Sequence, residues 1–168
     1  MRGAGALARG VRGMRIRISK LWRARVPASH SLRSTMNFAV DHLGIAVKSL
    51  QSAKAIYQQL GLSVTAEEEV SAEKVRVAMV PVGETRLELL EPTSDDSVIA
   101  KFIAKRGEGL HHISLRVPDL EAAVMKLKQN GVRLVSEKIG IGAGGHRYIF
   151  VHPSSAGGVL LELVESEH

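Results

Sequence analysis

Apolar residues alternate with small or polar ones from Asp41 to Val47 (DHLGIAV) and again from His111 to Val117 (HHISLRV), the period-two pattern of a strand. Directly after each run the period lengthens. Leu50, Ala53, Tyr57 and Leu60, then Leu120, Ala123, Val124 and Leu127, fall at helical spacing. Ser49 and Asp119 stand where an N-cap belongs, and Gly61 and Gly131 where such helices end. The two stretches superpose at a constant offset of 70, which lays His42 on His112, Val47 on Val117, Leu50 on Leu120 and Gly61 on Gly131. Further strand-like runs follow each copy, VRVAMV and TRLELLE in the first and RYIFVHP and LLELVE in the second, so that Glu88 lies over Glu162 at a slightly longer offset. The insert PTSDDSVIAKFIAKRGEG reads as a linking helix, 96–106, capped near Ser97. The pattern predicts an α+β fold made of two tandem βαβββ modules, 38–92 and 109–166, within one domain spanning 36–168.

The duplication also selects candidate chemistry. Successive strand side chains face opposite ways, so His42 shares a face with Gly44 and Ala46, and His112 shares one with Ser114 and Arg116. His111 falls on the other face with Ile113, Leu115 and Val117, which assigns it a structural place near the core under the helices. One histidine from the first strand and one carboxylate from the last strand of each module give His42, Glu88, His112 and Glu162. Imidazole and carboxylate donors on rigid strands suit a divalent first-row ion such as cobalt, zinc, nickel or manganese. Each of the four alone has an ordinary reading as a structural histidine or a solvent-facing glutamate. Their recurrence at equivalent points of a repeat favours a metal site.

Composition changes the picture mainly by exclusion. The chain has 168 residues, 45% of them hydrophobic, enough for one sizeable core. It has no cysteine, which removes disulfide scaffolds, thiolate zinc sites and cysteine nucleophiles. The formal charge of +6 is unevenly placed: residues 1–35 hold nine Lys and Arg and no acid, leaving 14 basic against 17 acidic residues from Met36 onward. That balance offers no basic face for nucleic acid. The tail reads either as a mitochondrial transit peptide, with Val11, Met14, Ile18 and Leu21 at helical spacing among arginines, or as a start codon placed upstream of a true start at Met36. The first reading puts the protein in the mitochondrial matrix, the second in the cytoplasm. No apolar run approaches the roughly 18 residues of a membrane span.

DHLGIAV, the RLELLEP run with SDDSVIAKFIAKRGEGLHHISLRV after it, and KIGIGAGGHRYIFVHP followed by GGVLLEL together resemble the vicinal oxygen chelate superfamily and, within it, the methylmalonyl-CoA epimerases, over about residues 38–165. The resemblance implies a cupped sheet around one metal-centred cavity, usually in a homodimer, with the metal on His42, Glu88, His112 and Glu162. Many members look to have Gln at the position of Glu88. It implies methylmalonyl-CoA as substrate, removal of its C2 proton through a metal-stabilised enolate, and return of a proton on the opposite face, with Glu162 as one base. Some members carry a second Glu where this chain has Val77, leaving Glu73, Lys74 or a metal-bound water as substitutes. The loop Gly140 to Gly145 reads either as a flexible hairpin or as a donor of backbone N–H groups to an anion. His152 reads as structural, and Ser154 stands where members often have Lys. Rival readings are a glyoxalase-type isomerase, a metal-free module that sequesters a small molecule, and an extradiol dioxygenase, whose iron would use fewer protein ligands.

Overall fold

Strand β1 (Ala39–Ala46) and strand β5 (Gly109–Val117), the first strands of the two copies, lie antiparallel to each other at the centre of an eight-stranded sheet of order β2-β3-β4-β1-β5-β8-β7-β6. The computed structural model describes residues 38–65 and 67–165; the segment 1–35, with its transit-peptide and upstream-start readings, lies outside them. Around the central pair each copy repeats one arrangement. The last strand of the first copy, β4 (Thr85–Pro92), runs parallel to β1, and the last strand of the second, β8 (Leu161–Glu165), runs parallel to β5. Outside these lie β3 (Val75–Val82) and β7 (Arg147–Val151), then the short edge strands β2 (Glu68–Val70) and β6 (Gly140–Ile141). A pseudo-twofold axis between β1 and β5 relates the halves, which is the α+β βαβββ duplication expected from the repeat.

Helices α1 (Leu50–Gln59) and α3 (Leu120–Gln129) cross over between the parallel strands. Ser49 and Asp119 cap them by accepting from the backbone N–H groups of Ser52 and Ala122. A second acceptor comes from the sheet, because Glu91 and Glu165, each three residues beyond Glu88 and Glu162, accept from Leu50 N and Leu120 N. Both helices pack against one face of the sheet. Leu50 and Val47 sit with Ala78, Val80 and Leu89, while Leu120 and Val117 sit with Ile149 and Leu163. Complete burial of Leu50 and Leu120 contributes about 2 kcal/mol each. Gly61 and Gly131 follow the helices with φ of 81° and 70°, the left-handed conformation that favours glycine.

The third helix, α2 (Val98–Arg106), is capped by the Ser97 hydroxyl and lies on the other face, where Ile99, Phe102 and Ile103 close over Ala46, Val75, Val77 and Leu90. That face is the inside of the cup. The rims of the two copies meet across it: Gly144 N donates to Glu68 Oε1 at 3.1 Å, and Tyr148 Oη to Glu73 Oε1 at 2.6 Å.

The β1–β5 pairing carries two irregularities that strict alternation misses. Val40 faces Leu115 and His42 faces Ser114, so Asp41 is an extra residue in β1; Gly44 faces His112 and Ile45 faces Leu110, so His111 is an extra residue in β5. These are β-bulges, and they are 70 residues apart, related by the same duplication. A bulge re-aims its extra side chain. His111 therefore does not pack under the helices with Ile113 and Leu115, as alternation implied, but turns into the cup beside His112.

Candidate metal centre

Two adjacent rows across the sheet build the site. In one, Glu88 on β4 and His112 on β5 flank Gly44 of β1; in the other, Glu162 on β8 and His42 on β1 flank Ser114 of β5. Each row thus joins a carboxylate of one copy to a histidine of the other across a small residue. The small residues make room for the imidazoles. An ideal Cβ on Gly44 would stand 2.1 Å from His112 Cε1.

All four side chains predicted from the repeat converge, each between 4% and 8% exposed. His42 Nε2 lies 3.0 Å from His112 Nε2, 3.1 Å from Glu162 Oε2 and 3.4 Å from Glu88 Oε2. His112 Nε2 is 3.4 Å from Glu88 Oε2 and 3.8 Å from Glu162 Oε2. His42, His112 and Glu162 each offer a donor atom within 4.8 Å of the others, an arrangement able to hold a metal ion. The spacing agrees with coordination: bonds of about 2.1 Å separate donors by about 3.0 Å at right angles and about 3.4 Å at the tetrahedral angle.

The protonation pattern points the same way. His42 Nδ1 sits 2.9 Å from Asp41 Oδ2, and His112 Nδ1 sits 3.0 Å from His111 Nδ1. With a proton on each Nδ1, both Nε2 lone pairs aim at the same point as the two carboxylates. Glu162 Oε2 is buried and makes no hydrogen bond among the described residues, its approach to His42 Nε2 being badly angled. Such a concentration of electron pairs attracts a cation, and a proton is the simplest one. Burial works against a charge on His42, yet Asp41, Glu162 and Glu88 outweigh it and raise its pKa to about 11. Burial likewise opposes ionisation of Glu88, but His112 and His42 pull that carboxyl down to about 2.

A cavity of about 450 Å³ opens onto these groups, within the range of small-molecule sites. Its walls are largely apolar, with Val77, Leu90 and Ile99 at the α2 end and Phe150 beside His112, ring centroids 5.3 Å apart. His111 also lines it, edge-on to Phe102 at 4.9 Å. Burial and the neighbouring His112 push the His111 pKa down to about 4, which keeps it neutral.

Residues 41–150 match the Glyoxalase/Bleomycin resistance protein/Dioxygenase superfamily. Mitochondrial methylmalonyl-CoA epimerase of Homo sapiens is 42% identical over 129 residues, covering 76% of this chain and 73% of that protein. The chain belongs to the methylmalonyl-CoA epimerase family of that superfamily. Among solved structures, methylmalonyl-CoA epimerase from Mycobacterium tuberculosis superposes with a TM-score of 0.75 at 39% identity, over 83% of this chain and 95% of that one. A Streptomyces coelicolor methylmalonyl-CoA epimerase variant in complex with 2-nitronate-propionyl-CoA does so with a TM-score of 0.73 at 37% identity, over 76% and 94%.

Within this epimerase fold, Asp41 is the residue that alternation concealed. It is buried, it accepts from His42, and it holds the guanidinium groups of Arg86 and Arg116. Burial opposes its charge, but His42, Arg116 and Arg86 together keep its carboxyl well below the usual carboxylate range. A hydrogen-bonded carboxylate behind a histidine fixes the ring's tautomer and orientation. The one signal available in the sequence was an acid directly before His42 inside an otherwise apolar strand. The glycine-rich loop also differs from an anion cradle. Gly142, Gly144 and Gly145 already donate their N–H groups to His146 O, Glu68 Oε1 and Gly142 O, and a Cβ on Gly140 would stand 2.7 Å from Tyr148 Cζ. His152 accepts from Ser154 N in a short turn, away from the four converging side chains.

Proposed function

We propose that the chain interconverts the (2S) and (2R) forms of methylmalonyl-CoA, and that His42, Glu88, His112 and Glu162 hold the divalent ion the reaction uses. What carries the reading is the meeting of two imidazole nitrogens and two buried carboxylates at the head of an apolar cavity, in a member of this family. A bound divalent cation supplies Lewis acidity, withdrawing negative charge from a substrate oxygen by an amount worth several kcal/mol.

The chain's own residues do the rest. Glu162 takes the C2 proton: the C–H bond breaks, an O–H bond forms on the carboxylate, and the electron pair delocalises onto the thioester oxygen. Return of a proton to the opposite face of C2 inverts the centre, with no redox change and no hydrolysis. Val77, Leu90, Ile99 and Phe150 keep bulk water from the reacting carbon. Asp41 accepts from His42 Nδ1 and so directs Nε2 toward the other donors, where an ion would displace the proton that Nε2 carries in the metal-free chain. Mixed imidazole and carboxylate donors accept cobalt, zinc, nickel or manganese, and cobalt is put first by resemblance to the family. The working form is a homodimer, by resemblance to the family. Its place is the cytoplasm, or the mitochondrial matrix if residues 1–35 act as a transit peptide; the human relative is a mitochondrial protein. Among the described residues no helix is long and apolar enough to cross a membrane.

The test is direct conversion. Pure (2S)-methylmalonyl-CoA with cobalt-loaded protein should relax to a near-equal mixture of the two forms, and methylglyoxal with glutathione should yield no thioester. Thioester formation without epimerisation would transfer the site to the glyoxalase reading.

A further inference from the structure

Inversion at a carbon needs a proton-transfer group on each face, and Glu162 serves one. Four other titratable side chains line the cavity beyond the converging donors: Glu73, His111, Lys138 and Tyr148. Lys138 and Glu73 are both exposed at the rim, but of the two it is Glu73 that is tied to another cavity-lining side chain, Tyr148, and His111 is engaged with His112 and Phe102. Lys74 is paired with Asp96 on the outside. Tyr148 and Glu73 remain. They form one unit, with Tyr148 Oη donating to Glu73 Oε1 at 2.6 Å from opposite halves of the duplication.

The duplication gives Tyr148 a defined place. Val77 pairs with Leu90, two residues past Glu88, and Tyr148 pairs with Val164, two residues past Glu162. Tyr148 is therefore the pseudo-symmetry mate of Val77, a phenol on one side of the cup where the other has an isopropyl group. Its ring is firmly held. It lies against Gly140, where any Cβ would collide with Cζ, and edge-on to Phe150 at 5.4 Å, while Phe150 abuts His112.

We infer that Tyr148 and Glu73 are the second proton-transfer group, Tyr148 Oη meeting C2 on the face opposite Glu162 and Glu73 acting through it. In one direction the C2–H bond breaks as an O–H bond forms on Tyr148 Oη, and the proton Oη already carried passes to Glu73 Oε1, which becomes a neutral carboxylic acid. In the other direction Glu73 returns its proton to Oη as Oη delivers one to C2. The phenol never carries a net charge. That matters here, since burial and the Glu73 carboxylate hold its pKa above the ordinary tyrosine value and make a free phenolate a poor intermediate.

The inference rests on the epimerase reading, and the experiment separates the two. Each pure epimer is incubated in heavy water with cobalt-loaded unmodified chain, Tyr148→Phe and Glu73→Gln, and deuterium at C2 is measured alongside inversion. In both variants the epimer whose C2 proton faces Glu162 should exchange within about tenfold of the unmodified rate and keep its configuration. Inversion should fall at least about a hundredfold, and the other epimer should neither exchange nor invert. Cobalt binding should be unchanged, because the hydrogen bond of this pair runs between Tyr148 and Glu73 and not to the four converging donors, while the melting temperature should fall by only a few degrees, roughly the loss of one hydrogen bond. Inversion at the unmodified rate in both variants would overturn the inference. So would equal loss of exchange from both epimers, or loss of cobalt binding, which would make the pair a structural latch across the cup. An unmodified chain that neither exchanges nor inverts overturns the epimerase reading, and this inference with it.

Discussion

Replacing Gly44 with alanine tests the site through its tightest contact. An ideal Cβ there would lie 2.1 Å from His112 Cε1, 2.4 Å from Nδ1 and 2.6 Å from Nε2. Gly44 is not in the left-handed region, so the cost is spatial and not conformational. Ordinary carbon contacts begin near 3.5 Å, so the ring would have to recede by roughly 1.4 Å. It has little room to do so, with His42 Nε2 and His111 Nδ1 each 3.0 Å from its nitrogens and Phe150 against its edge. Coordination distances tolerate only about 0.2 Å, so the imidazole leaves the donor set. Cobalt affinity should fall at least about a hundredfold, equivalent to about 2.8 kcal/mol, and overpacking should lower the stability of the metal-free fold by about 1–3 kcal/mol. Competition with a chromophoric chelator reads the first and thermal unfolding the second. An alanine variant that binds cobalt within about threefold of the unmodified chain would refute the reasoning, because a displaced His112 could not then be a ligand.

Three further outcomes follow from the same geometry. Asp41→Asn should weaken cobalt binding by about 10–100-fold, the usual effect of losing a carboxylate behind a ligating histidine. The same variant has a pH signature. Because the folded Asp41 pKa is depressed, its stabilisation is fully present above its unfolded pKa of about 3.9 and is lost as pH falls towards the folded value. The stability gap between unmodified chain and variant in urea titrations should therefore be widest near neutrality and narrow below about pH 4; a constant gap would contradict it. His112→Ala should abolish cobalt binding and epimerisation, whereas His111→Phe, which keeps the ring but loses the contact to His112 Nδ1, should weaken binding only about tenfold. Equal losses in the two histidine variants would contradict the assignment of His112 as ligand and His111 as its support.

The duplication was legible because each copy states its grammar locally. Alternation, a capping residue at Ser49 or Asp119, an apolar stripe and a terminal glycine are all written within about 25 consecutive residues, and that is where helix and strand are decided. His42, Glu88, His112 and Glu162 were legible for the same reason, as equivalents within the repeat. Asp41 and His111 were not. A bulge is a property of a strand pair, and the register slips that turn His111 into the cup and set Asp41 behind His42 against Arg86 and Arg116 exist only when β1 meets β5. Tyr148 and Glu73 are 75 residues apart and meet only because the curled sheet brings its rims together. The glycines of the 140–145 loop suggested an anion cradle by composition, yet Gly140 is there to accommodate the Tyr148 ring, which no local pattern discloses.

In the proposed reaction, proton transfer at C2 depends on a divalent ion held by His42, Glu88, His112 and Glu162. The most direct measurement is deuterium uptake at C2 of methylmalonyl-CoA in heavy water, on the chain from Met36 onward, first loaded with cobalt and then stripped by excess chelator. Uptake should lie far above the uncatalysed background, be accompanied by the opposite stereoisomer, vanish on chelation and return with added cobalt. Uptake that survives complete removal of metal, or no uptake with cobalt, zinc, nickel or manganese, would contradict it.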